Sequence, residues 1–362
     1  MKENKIGFSQ FAAAAAVSAF SPISRMLPKA VLETAGRACW TVPLLCFLPL
    51  IGFCFALKLL LEGEERGLCG ALESVLGKWA GRIAALLLGG WVIFYGAFLI
   101  RSGAERYIST VYKDEELWVF VLTVGGVALA GALGSVRAIA RMGQLGAAIV
   151  GAIVVVLLVL ALPDMEKHYL LPLSVRNAGG VAAALPSAFN AATGWVFVAF
   201  LSGHVCEGSR RRGAIVRWCA YIIMLMLIVI IATVGVLGPN VAGSQRYPFF
   251  ALISNLKVFN LLERIEPVTV MIWVLTDFVF IALLMMAVGE VGRHAVGMKS
   301  GRPAVLIAAA AMMGCAFPVG RDAFSFDFVS FVLVPAVNLV IAAVFLPILA
   351  IIKKLKKDKK RC

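Results

Sequence analysis

Ten apolar stretches dominate this chain, and each is close to the length of a bilayer crossing. They run near 8–27, 39–61, 82–108, 117–136, 142–162, 186–205, 215–238, 268–290, 303–320 and 328–352. A spanning helix needs about 20 mainly apolar residues, because hydrocarbon offers no partner to an unpaired backbone group. The 362 residues are 61% hydrophobic, whereas a soluble domain is closer to half apolar. The chain therefore reads as an all-α integral membrane protein, one polytopic unit.

Charge orients the spans. A net charge of +14 would suggest a nucleic-acid partner in a soluble chain. Here most of it is topological, since Lys and Arg collect in cytoplasmic loops. With the N-terminus inside, 22 of the 34 Lys and Arg fall on the inner side and 12 on the outer. The run Arg210-Arg211-Arg212 and the tail from Lys353 to Arg361 carry that bias. Both termini are predicted to be cytoplasmic, and the basic tail can touch anionic lipid. Lys2, Lys5, the alanine run and Val17-Ser18-Ala19 mimic a signal peptide with its cleavage site; we read them as part of the first span.

Two spans are interrupted. The first breaks at Ser21-Pro22 and the sixth, more weakly, at Asn190 to Trp195 and again at Ser202-Gly203. Proline removes a backbone donor and clashes with the preceding turn. Within a bilayer such a break survives where it is buried or faces a cavity. Interrupted spans opening each half of a chain point to a transporter-type site. Ten spans with breaks in the first and sixth predict a LeuT-like five-plus-five inverted repeat. Repeat one covers about 8–162 and repeat two about 186–352, followed by a basic tail at 353–362.

The candidate ligand-binding residues cluster around these breaks. Ser18, Phe20 and Ser21 lie at the first, and Thr193, Gly194 and Phe197 at the second. Tyr95 is central in the third span, where it can close over a ligand or simply pack. Asp277 sits mid-span in the eighth, beside Thr276. An intramembrane acid is costly and is usually paired or faces a cavity; the alternative is a hydrogen-bonded packing residue. Thr276 can serve a ligand or bond its own helix carbonyl. Arg101 and Glu105 share a helix face and read as a structural pair near the outer mouth.

Other chemistry finds no motif. The eight cysteines have no CxxC or zinc spacing and read as small buried hydrophobes. His168, His204 and His294 fall in separate loops and make no metal constellation. Neither GxSxG, a Walker loop nor a dinucleotide turn occurs, so the chain is not read as an enzyme and no cofactor is expected. After Pro248, Leu252, Ile253, Leu256, Phe259 and Leu262 recur at helical spacing. A short amphipathic helix over the outer mouth is predicted, either gating or merely interfacial. Glu263, Arg264 and Glu266 read as a solvated helix start or a contact with a partner subunit.

Several stretches resemble the spore germination permeases, the integral B subunits of nutrient germinant receptors within the amino acid–polyamine–organocation transporter superfamily. Ala35-Gly36-Arg37-Ala38-Cys39-Trp40 resembles the family's AGRDAW, with Ala38 in place of Asp. Arg101, Glu105 and Ile108 resemble its LR…E..I pattern, and Arg137 to Leu145 its segment between spans four and five. Leu162-Pro163-Asp164 with Leu170-Leu171-Pro172-Leu173 resembles its LPD…LLP linker. Tyr247-Pro248, then Leu262-Glu263-Arg264-Ile265-Glu266, resembles its YP…ERLE block, with Trp273 after it. Where much of the superfamily has a Gly-aromatic-Glu in span six, this chain has Gly194-Trp195-Val196. The resemblance implies a subunit in the cell membrane or inner spore membrane that binds a small nutrient such as an amino acid. It also implies two sister subunits, a larger membrane protein and a lipoprotein. The alternative is a stand-alone cation-coupled amino acid transporter; a third is a scaffold that has lost ligand binding.

Overall fold

A computed structural model describes residues 5–110, 115–171, 177–206, 212–256 and 266–359. Among them every regular element is a helix, apart from one two-residue bridge between Ile6 and Val205. The first part of the chain comprises α1 (Phe8–Arg25), α2 (Leu27–Ala35), α3 (Thr41–Leu61), α4 (Gly67–Leu76) and α5 (Lys78–Thr110). Then come α6 (Leu117–Ala132), α7 (Val136–Ala161) and the one-turn α8 (Lys167–Leu170). The second part holds α9 (Ala178–Thr193), α10 (Arg212–Ser244), α11 (Pro248–Asn255), α12 (Glu266–Val291) and α13 (Arg302–Ala316). The chain ends in α14 (Ala323–Phe328), α15 (Val334–Leu339) and α16 (Leu346–Lys359), joined by π-helical turns at Val329–Leu333 and Val340–Phe345.

Taking consecutive helices together, seven runs are long and apolar enough to cross a membrane: Leu27–Leu61, Lys78–Thr110, Val136–Asp164, Ala178–His204, Gly213–Ser244, Pro267–Val296 and Ala323–Lys359. The fourth and ninth expected spans are carried by the shorter α6 and α13. The first is carried by α1, whose alanines and serines make it less apolar than its neighbours. That composition fits its place. Every residue from Ala13 to Arg25 is buried, against protein and not lipid. Its most extensive partner is α7, and the two come closest where Gly143 meets Ala14; a Cβ on Gly143 would sit 2.5 Å from the Ala14 side chain. α12 also packs on α1, α5, α6 and α7, which makes it the second central helix.

Local sequence explains most helix ends. Pro28, Pro248 and Pro303 stand in the first turn of α2, α11 and α13, where a missing N–H costs nothing. The Ser135 hydroxyl caps α7 by accepting from the Ala138 amide at 3.1 Å. α10 kinks at Gly238, whose φ of 73° suits glycine, just before Pro239. α11 buries Leu252 and Ile253, as the helical spacing predicted, together with Phe249, but ends at Asn255. Phe259, Leu262, Glu263, Arg264 and Ile265 lie outside the described residues, as do Pro172, Leu173, Arg210 and Arg211.

The expected interruptions are displaced or changed in kind. α1 does not end at Ser21-Pro22: Pro22 sits inside it, and the boundary between α1 and α2 falls at Met26, whose amide still donates to the Pro22 carbonyl at 3.1 Å. The proline frees the Ser18 carbonyl, yet the helix holds because its loss is one bond in a buried segment rich in serine. Pro28, in the first turn of α2, lacks the N–H that would meet the Ser24 carbonyl. At the second site α9 ends at Thr193, and the chain continues as an eleven-residue 3-10 helix, Gly194–His204. Such helices rarely exceed about four residues, and a mid-span stretch marks strain or a hinge. The Thr193 hydroxyl donates to the Phe189 carbonyl at 2.7 Å, and the Trp195 indole donates to the Ala192 carbonyl at 2.6 Å, so a side chain serves one of the four carbonyls that α9 leaves open.

The start of α1 and the end of α16 lie on one face of the bundle. The Ile6 amide donates to the His204 carbonyl at 2.8 Å. The start of α1 and the end of α3 line one cavity, with Phe8, Phe11, Lys58 and Leu61 among its residues. The Lys353 ammonium closes the end of α3, donating to the Leu60 carbonyl, the Glu62 carbonyl and the Glu64 carboxylate at 2.8, 2.9 and 2.7 Å. Three cations that the charge count assigns to the outer side, Arg25, Arg101 and Arg106, are instead buried. They are parts of the interior and say nothing about orientation.

Candidate functional site

The deepest polar cluster is built on Asp277, midway along α12. Asp277 is 4% exposed and forms an ion pair with Arg106 near the end of α5, itself 1% exposed. The other Nη of Arg106 donates to the Ser21 hydroxyl on α1 at 3.3 Å. Its guanidinium lies over the Trp273 ring, 4.4 Å from the centroid, where the electron-rich face attracts a cation. Trp273 in turn donates its indole N–H to the Ser24 hydroxyl at 3.0 Å. One network thus ties α1, α5 and α12 together. On its other side Asp277 edges a cleft of about 410 Å³ beside α6, shared with Tyr107 and Glu115.

A second, aromatic cluster surrounds Tyr95. Its ring meets Phe197 at 5.9 Å and Phe280 at 5.8 Å, both edge-on, and stacks on Phe98 at 6.4 Å. Gly194 faces the Tyr95 hydroxyl so closely that a Cβ there would stand 2.8 Å from it. Glycine at the start of the 3-10 segment therefore has a steric reason. The Trp91 indole donates to the Asn338 amide oxygen at 2.9 Å and pins α15 to α5.

The nine sequence-derived candidates divide accordingly. Ser21 and Asp277 meet through Arg106, and Tyr95, Gly194 and Phe197 meet directly. Phe20 packs edge-on against Phe249 of α11, 6.3 Å away. The hydroxyls of Ser18, Thr193 and Thr276 donate to carbonyls of their own helices, Ala14, Phe189 and Trp273, at 2.8, 2.7 and 3.1 Å. Each keeps only acceptor capacity for anything else. Arg101 pairs with Glu105 at 2.5 Å, as its spacing predicted, and also reaches the Gly320 carbonyl at 3.0 Å.

Arg106 is the residue that sequence reading missed. Its signal was present: an intramembrane acid calls for a partner. Arg101–Glu105 already accounts for one charge pair of the third span, and Arg106 beside it is a cation with no acid four residues away on its own helix.

Comparison with known proteins follows the same outline. Residues 22–322 match the spore germination protein family. The chain belongs to that family. No curated protein sequence matches it. Among solved structures, the transporter MhsT in complex with L-phenylalanine resembles it at 16% identity and a TM-score of 0.65, covering 95% of this chain and 89% of that one. Mhp1, a nucleobase-cation-symport-1 family transporter with a bound bromovinylhydantoin, covers 86% of this chain and 71% of that one, at 12% identity and a TM-score of 0.47. The likeness to MhsT establishes a LeuT-type transporter fold.

The stretches that resemble the spore germination permeases are also joined in space. Trp40, closing the AGRACW segment, donates its indole N–H to the Leu170 carbonyl in the linker at 3.3 Å. Tyr247-Pro248 opens α11. Trp273 is the platform for Arg106.

Proposed function

We propose that this chain is the integral membrane subunit of a nutrient germinant receptor, and that it binds a small nutrient such as an amino acid inside the helix bundle. The observation that carries the reading is the match to the spore germination protein family over residues 22–322. The ligand sits between α1, α5, α12 and the 3-10 segment after α9. An ammonium meets the carbonyls that Pro22 and the end of α9 leave open, and a carboxylate meets the positive end of a half-helix. Ser18, Phe20, Ser21, Tyr95, Thr193, Gly194, Phe197, Thr276 and Asp277 surround that position.

Binding acts by favouring one of two arrangements of the bundle. The Ser21–Arg106–Asp277 network spans the helices that would shift, so it is the natural element to report occupancy. The protein lies in the cell membrane or inner spore membrane with both termini cytoplasmic, and passes the change to a larger membrane subunit and a lipoprotein. The test is germination in response to single amino acids by spores that lack the chain and by spores with it restored, alongside uptake by the purified chain in liposomes. A nutrient response that returns with the chain, without solute uptake, is expected. A response unaffected by its loss overturns the reading, and uptake by the chain alone makes it a transporter.

A further inference from the structure

Arg25, the last residue of α1, is 4% exposed and makes neither an ion pair nor a hydrogen bond among the described residues. Its guanidinium carbon lies 5.1 Å from the centroid of the Phe98 ring. Its Nε is sealed and unpartnered. A buried guanidinium with an unmet donor is costly unless something else meets it.

Arg25 lines a cavity of about 180 Å³ with Lys29, Arg246, Tyr247, Asp327 and Ser330. Three cations face one carboxylate there. The Tyr247 hydroxyl and the Ser330 hydroxyl are also buried without partners. Arg246 lies over the Phe326 ring at 5.4 Å, so the wall beneath the charges is apolar. Every unsatisfied group in this cavity is a donor or can act as one, and all of them suit the same visitor.

We propose that this cavity is a binding site for a small organic monocarboxylate. The fork of Arg25 grips the carboxylate in the plane that a guanidinium matches. Tyr247 and Ser330 complete its hydrogen bonds, and Lys29 and Arg246 draw it in from the rim. A short apolar body lies on Phe326. Asp327 disfavours a second negative charge, which selects a monoanion over phosphate. This inference goes beyond the nutrient-receptor reading and does not depend on it.

The experiment is isothermal titration of the purified full-length chain in nanodiscs with sodium propionate. Propionamide serves as the neutral isostere, and sodium chloride and inorganic phosphate are titrated in parallel. Propionate is expected to bind and propionamide to bind at least about tenfold more weakly, as for truncation of a buried charge pair. Arg25→Gln should cost a similar factor, and Arg246→Gln, at the exposed rim, about threefold. The rim variant keeps the test decisive if Arg25→Gln fails to fold. Equal binding of propionamide, binding of chloride or phosphate without propionate, no propionate binding, or wild-type affinity in folded variants each overturns the site. Spores can still respond to nutrient if the site fails, and propionate can still bind if germination does not need the chain, so the two readings fail separately.

Discussion

Arg106 and Arg25 are both buried, at 1% and 4% exposure, yet only the first is neutralised. Arg106 has Asp277 as counter-ion, Ser21 as acceptor and Trp273 as platform. Arg25 has the face of Phe98 and a cavity. A buried charge with its partners in place fixes three helices relative to one another. A buried charge without them is held at a cost by the packing around it, and that cost falls when an anion arrives. The same residue type thus makes a buried ion pair at one site and lines a cavity at the other.

The contrast can be broken by substitution. The largest effect is expected from Asp277→Ala, which strands Arg106 in the interior; losing one partner of a buried pair costs about 3–5 kcal/mol. Thermal unfolding of the purified chain should show it, and the double variant Arg106→Met with Asp277→Leu should recover most of the loss. Arg25→Met should act in the opposite direction, raising the stability of the unliganded protein by about 1–3 kcal/mol, the usual penalty of an unsatisfied buried group. A fall in stability there would mean that Arg25 has a structural partner after all. Trp273→Phe removes both the stronger cation–π face and the bond to Ser24 and should cost about 1–2 kcal/mol. Ser21→Ala, deleting one hydrogen bond to Arg106, should cost about 1 kcal/mol.

The fold was legible in the sequence because membrane crossing imposes a length and a hydrophobicity that any apolar run must declare. Asp277 was legible for the related reason that a lone acid stands out in hydrocarbon. Arg25 and Arg106 were not, because both lie near span ends, where a cation is ordinarily a solvated loop charge that sets topology. Arg25 is inside because tertiary packing brings Phe98, Tyr247 and Phe326 around it. The boundary at Met26 lies a few residues beyond the expected break for another local reason. Pro22 announces a break, but whether a helix ends there depends on what surrounds the freed carbonyl, and that is tertiary. The glycine at Gly194, where the 3-10 helix begins, answers to the close approach of Tyr95, 99 positions earlier in the chain.

The central claim is that nutrient occupancy is read through the ion pair on α12. Asp277→Asn tests it most directly: it keeps the shape of the side chain and removes its charge. The measurement is nutrient-triggered germination across pH in spores carrying this variant, with the abundance of the chain matched to wild type by blotting. The account predicts a weakened or pH-altered response at normal abundance. A wild-type response at every pH would contradict it.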